Sequence, residues 1–155
     1  MSASPPSLPS PPCAARPPKQ HLVMSAEIRR LLEAIDRSLA DASAAGISDA
    51  TRFDAAHKAA TQCAVVAMLA AGHQAAAPGA DHQGSLLQAV SHMLDVGPGI
   101  WAELDALRRR RLAADYDGRT VMREATSACI AQAVMLRRRL HAQLAARYPE
   151  LLGQG

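Results

Sequence analysis

The feature that most limits this chain is what it lacks: among 155 residues there are one Phe, one Trp and two Tyr, against 34 alanines. A core made of Ala, Leu, Val, Ile and Met has few large plugs, so its elements must approach closely to exclude water. Alanine is the best helix former and a poor strand former, which points away from sheets. The expectation is an all-α fold, an up-and-down bundle of four long helices plus one short helix. The longest wholly apolar run, residues 64–71, falls well short of the ~18 residues that cross a bilayer, so no membrane partner is expected.

Seven of the ten prolines lie in the first 18 residues, in a stretch with nothing to bury. Residues 1–24 are therefore expected to be a disordered Pro-rich tail, and residues 25–150 the helical domain. The tail has neither the apolar core of a secretory signal nor the amphipathic arginine pattern of a transit peptide. Met24 stands directly before the first helical pattern, where translation is a candidate to begin. Three cysteines, with Cys63 and Cys129 inside helical patterns far from Cys13, give no disulfide framework and no zinc site. A cytoplasmic location is the natural expectation.

Helical spacing places Ile28, Leu31, Leu32, Ile35 and Leu39 on one face of a first helix, capped by Ser25 and ended by Gly46. Ile47 and Ser48 open a second, running through Phe53, Ala56, Ala60, Cys63, Ala67 and Met68 to Gly72. Its small side chains put it at the centre of the bundle. Residues 73–84 read as a loop, and Ser85 as the cap of a short helix burying Leu86, Leu87, Val90, Met93 and Leu94. The break at Gly97, Pro98 and Gly99 starts a fourth helix with Ile100, Trp101, Leu104, Leu107, Arg111 and Leu112 on one face. Thr120 is expected to cap the last, whose face is Met122, Ala125, Cys129, Ala133, Leu136, Leu140 and Leu144, stopped by Tyr148 and Pro149.

The net charge of +3 hides a division. Residues 22–107 hold five Lys and Arg against ten Asp and Glu, and residues 108–155 hold ten Arg against four acids. Acidic early helices can neutralise basic late ones, within one bundle or between subunits. Arg108, Arg109, Arg110 and Arg111 span more than one helical turn, so some of them face sideways or inward and need an anion. Asp115, Asp117, Glu124 or a phosphate would serve. Aromatic residues near this run are limited to Tyr116, which argues against base-stacking recognition of single strands. The histidines share no metal-ligand spacing, so neither a metal nor a cofactor is expected.

Two segments resemble the HEPN superfamily, over roughly residues 48–148. One is the alanine-rich stretch with Arg52, Phe53, Asp54, His57 and Lys58, ending at Gly72 and followed by the His-containing residues 73–83. The other is the basic segment from Leu107 through Arg108, Arg109, Arg110 and Arg111 to Asp115, Tyr116 and Asp117. The resemblance implies an all-α bundle, often a homodimer, linked in many members to RNA cleavage, nucleotide binding or toxin-antitoxin and defence systems. Catalytic members carry an Arg followed, after four to six residues, by a His. Here Arg111 fills the Arg position, whereas Tyr116 stands where the His would be and Leu112 where a polar residue is common.

Metal-free RNA cleavage requires a base for the 2′-hydroxyl proton and a cation for the phosphorane. Tyrosine, with a pKa of about 10, is a weak base at neutral pH. A base would have to come from His82, from His57 or from a partner subunit. The catalytic candidates are accordingly Arg111, Tyr116 and Asp115, and the ligand-binding candidates Arg108, Arg110, Arg111 and His82. The functional expectation is a non-catalytic binder of RNA, nucleotide or a partner protein, tied to a toxin-antitoxin or defence system; its rivals are a metal-independent ribonuclease toxin and a purely structural dimeric adaptor. Asp115 has a structural alternative, pairing with Arg111 four residues earlier, and Tyr116 another, packing across the bundle.

Overall fold

A computed structural model describes residues 18–72, 82–118 and 122–152, with side chains at 24–72, 88–118 and 122–152. The fold is all-α, and no strand occurs among the described residues. The helices are α1 (Pro18–Ala42), α2 (Asp49–Ala70), α3 (His82–Leu94), α4 (Gly99–Asp117) and α5 (Arg123–Arg147), followed by a 3-10 turn at Pro149–Leu152.

Local chemistry sets most boundaries. Ser48 has extended backbone and its hydroxyl accepts a hydrogen bond from the Thr51 N–H at 3.2 Å, so it caps α2 as the sequence predicts. Gly72, at φ +77°, follows the end of α2, and Gly118, at φ +69°, caps α4 in the left-handed region that suits a residue without Cβ. The carboxyl end of α1 is closed by a side chain: Arg52 Nε donates to the Ala42 carbonyl at 2.7 Å.

Several expectations are corrected. Ser25 does not cap α1, which begins at Pro18 with proline in the first turn, where its missing N–H costs nothing; Ser25 is buried inside the helix. Residues 18–24, assigned to the tail, are thus helical, while residues 1–17 lie outside the described residues. Helix α1 ends at Ala42, four residues before Gly46. Ser85 lies inside α3, which starts at His82, and residues 73–81 are outside the description, as is Thr120. The residue at the cap of α5 is Met122, 51% exposed rather than buried. Leu112 is likewise exposed, at 52%. The domain also runs past residue 150, because Leu151 in the 3-10 turn is buried against α1 and α5.

Hydrogen bonds between elements fix the directions. Thr126 Oγ1 donates to the Asp49 carbonyl at 3.2 Å, and Cys129 Sγ lies 4.0 Å from the Phe53 carbonyl, so α2 and α5 run parallel. Arg52 meets the end of α1, and Arg111 of α4 meets Asp54 of α2, so α1 and α4 run antiparallel to α2. The four long helices therefore alternate in direction along the chain, and α2 and α5 form a parallel diagonal through the middle. That diagonal can close because it is made of small residues. Ala56, Ala59, Ala60, Cys63, Ala67 and Ala70 of α2 are buried, as are Ala125, Cys129 and Ala133 of α5. Phe53 is the one large plug on α2, 1% exposed.

Candidate functional site

The carboxyl-terminal half of α4 carries the arginine run past the first half of α2, and the two helices enclose a groove. Its charged part, about 310 Å³, is lined by Phe53, Asp54, His57, Lys58, Arg108, Arg111, Leu112 and Asp115. A second part, about 610 Å³, continues toward the start of α4, where Trp101, Ala102, Leu104 and Pro98 face Thr61, His57 and Gln88. His57 and Arg108 line both parts and mark where they join.

The four arginines have different fates, because consecutive helical residues point about 100° apart. Arg111 points inward and is only 14% exposed at its side chain. Its Nε and Nη2 donate to Asp54 Oδ1 and Oδ2 at 3.1 and 3.0 Å, a two-pronged pair joining α4 to α2. Its Nη1 is in ion-pair contact with Asp115 one turn on, though not aligned as a hydrogen bond. The Asp54 carboxylate first, and that of Asp115 second, raise the guanidinium pKa still further, so the group is a permanent cation. Arg108 donates from Nε and Nη2 to Asp105 at 3.3 and 3.0 Å, and Arg109 pairs with the other oxygen of the same carboxylate at 2.7 Å. These two cations hold the Asp105 carboxyl below its usual range. Arg110 is on the opposite flank, where its Nη2 lies 3.9 Å from Met122 Sδ.

The geometry thus brings Arg108, Arg111 and Asp115 into one groove and leaves Arg110 and Tyr116 out of it. Tyr116 is 92% exposed, so it packs across nothing. The side chain of His82 is outside the described residues. Arg111 finds Asp115, as the four-residue spacing predicts, but its second partner, Asp54, is 57 residues away and carries no sequence signal, because the register of α4 on α2 is a tertiary property.

His57 is the histidine that the fold brings to the arginines. Its ring stacks on Phe53 with centroids 6.2 Å apart and planes 16° from parallel. Burial, and then the Arg108 charge, lowers its pKa below the usual imidazole value. It is therefore neutral at pH 7, with a ring nitrogen available to accept a hydrogen bond. Lys58, next to it, makes no ion pair among the described residues. Among those residues no group of His, Cys, Asp and Glu is placed to hold a metal ion, and no helix is long and apolar enough to cross a membrane.

No protein-family model matches the chain, and it is similar to no curated protein and to no solved structure. The groove must therefore be interpreted from its own chemistry.

Beyond the groove, two more pairs cross between early and late helices. Arg137 of α5 binds Asp36 of α1, and Arg139 of α5 reaches Asp95 after α3 at 3.3 Å. Asp95 itself sits at φ +56°, a conformation that aspartate tolerates better than most residues. Cys63 and Cys129 are buried, and burial pushes both thiols up to about 12, which removes them from nucleophilic chemistry at neutral pH.

Proposed function

We propose that this protein is a HEPN-like helical binding protein whose α2–α4 groove holds a phosphate-bearing ligand, RNA or nucleotide, without cleaving it. The observation that carries the reading is the sharing of Asp105 by two arginines. One carboxylate neutralises one cation. Arg108 can turn to a ligand while Arg109 keeps Asp105 paired, so binding does not strand a carboxylate. Lys58, on the facing wall, supplies a second cation that makes no ion pair among the described residues. Residues of both segments that resemble the HEPN superfamily, Phe53 to Thr61 and Arg108 to Asp115, line opposing walls of this groove, which supports the same reading. Arg111, by contrast, is saturated by Asp54 and Asp115 and serves to fasten α4 to α2.

The test is to incubate the purified protein with labelled RNA in EDTA and to measure retention and cleavage together, beside Lys58→Ala, Arg108→Ala and Arg111→Ala variants. The expected result is retention that falls as salt rises and is weakened in the Lys58 and Arg108 variants, with no cleavage. Cleavage lost in Arg111→Ala would replace this reading with the ribonuclease. A second reading, the structural adaptor, draws on the early-to-late pairs Arg111–Asp54, Arg137–Asp36 and Arg139–Asp95, which make the arginines internal fasteners. Absence of any RNA or nucleotide binding would favour it. Homodimerisation, part of the same proposal, would be overturned by a monomeric mass in light scattering at tens of micromolar.

A further inference from the structure

The larger part of the groove has a composition that phosphate binding alone does not require. Most of its surface is carbon, from Trp101, Leu104, Pro98 and Ala102 of α4 and the turn before it, while His57, Thr61, Gln88, Asp105 and Arg108 supply the polar groups. Trp101 is half-buried and held in place, since its Nε1–H donates to Ser91 Oγ on α3 while part of the ring packs on the core. A fixed indole bordering an open groove is a platform for a flat ring, because its orientation is set before anything binds. The cations lie at one end only. Trp101 and Arg108 are two helical turns apart on the same flank of α4, about 10 Å of helix rise. Side chains on a helix lean toward its amino terminus, as the hydrogen bonds from Arg108 back to Asp105 show, so the guanidinium comes back toward the indole.

From this arrangement we infer that the groove takes a ligand in which one aromatic ring carries a phosphate: the ring lies by Trp101 and Leu104, and the phosphate at the junction between Arg108 and Lys58. The inference rests on the phosphate reading above and adds the ring. Two sources share that chemistry, a small aryl phosphate and a single nucleotide, free or at the end of a strand. A volume of about 610 Å³ holds one such ring system with room for a linking group. Gln88 and Thr61 at the margin offer polar groups to the ring edge, although the Thr61 hydroxyl already donates to the His57 carbonyl at 3.0 Å.

Trp101 is the single tryptophan of the chain, so its emission reports on this groove alone. The experiment titrates the full chain with 1-naphthyl phosphate, 1-naphthol, inorganic phosphate and adenosine monophosphate, following Trp101 emission and, independently, heat of binding. The expected result is that 1-naphthyl phosphate changes Trp101 emission and binds at least about tenfold more tightly than either of its halves. Trp101→Leu should abolish that advantage in the calorimeter and Trp101→Phe preserve most of it, with melting curves showing that both variants fold. Binding of adenosine monophosphate with the same dependence on Trp101 assigns the site to nucleotides; binding of the naphthyl ester alone assigns it to small aryl phosphates. Equal affinity for inorganic phosphate and 1-naphthyl phosphate, with unchanged emission, overturns the inference. If that happens while RNA is still retained through Lys58 and Arg108, the phosphate reading stands; if neither RNA nor any phosphate binds, both fall.

Discussion

Arg137 on α5 donates two hydrogen bonds to Asp36 on α1, from Nε to Oδ1 at 2.8 Å and from Nη2 to Oδ2 at 3.2 Å. The planar guanidinium meets the carboxylate in the fork geometry that lysine cannot reproduce. Arg137 is mostly covered while Asp36 is more than half exposed, so the pair is partly screened. A double-mutant cycle with Arg137→Ala and Asp36→Ala, read from urea unfolding, should give a coupling of about 1 kcal/mol that shrinks in molar salt.

The Arg111 cluster should behave differently, because its guanidinium is the more covered of the two and has two carboxylate partners. Asp54→Ala leaves a largely covered guanidinium with Asp115 alone, and should cost about 1–3 kcal/mol in the unfolding free energy. Arg111→Met in the Asp54→Ala background should recover part of that loss, since it removes the stranded charge and keeps the packing of the stem. Equal stability of the wild type and Asp54→Ala would mean that α4 is not held by this pair.

His57 should titrate below the usual value of about 6.5, because burial first and Arg108 second disfavour the imidazolium. Between the folded and unfolded pKa values the unfolded chain binds more protons, so this residue makes stability rise with pH there and fall as the protein is acidified. Proton resonances of the ring, followed from pH 4 to 8, should show the low midpoint. Arg108→Ala should move it upward, though not all the way, since burial remains.

The two buried thiols give the opposite slope at alkaline pH. Both stay protonated to about 12 in the folded chain, whereas unfolded cysteines ionise near 8.5. Above that value the folded state binds more protons than the unfolded one, so stability is full below it and declines as pH rises toward 12. The urea midpoint should therefore fall between pH 9 and 11, and fall less in a Cys63→Ala, Cys129→Ala chain compared with its own neutral value. In the native protein at pH 8, neither thiol should react with a water-soluble disulfide reagent until denaturant is added.

Much of this fold is legible in the sequence because local rules and packing agree. Phe53, Ala56, Ala60, Cys63 and Ala67 repeat at helical spacing, behind a serine with the right cap geometry, and all are buried. The same pattern misleads at Leu112 and Met122, where apolar periodicity continues but the side chains meet solvent. The candidate site is less legible. Arg111 and Asp115 lie one turn apart and can be paired from spacing, but Asp54, His57 and Lys58 join them only through the register of two helices, which pattern does not encode. Tyr116 stands at the sequence position of a catalytic group and yet points into water, because five residues turn a helix through more than a third of a circle away from Arg111.

The alanine diagonal between α2 and α5 also governs a place it never touches. A methyl group has no flexible end that can fold aside, so a larger side chain in that row shifts a whole helix rather than a rotamer. One face of α2 is this seam, and another is the wall that presents His57 and Lys58. Tolerance is thus set at the back of the helix and expressed at the front: the width available to an occupant of the groove is inherited from residues such as Ala59 and Ala67, which lie wholly out of its reach.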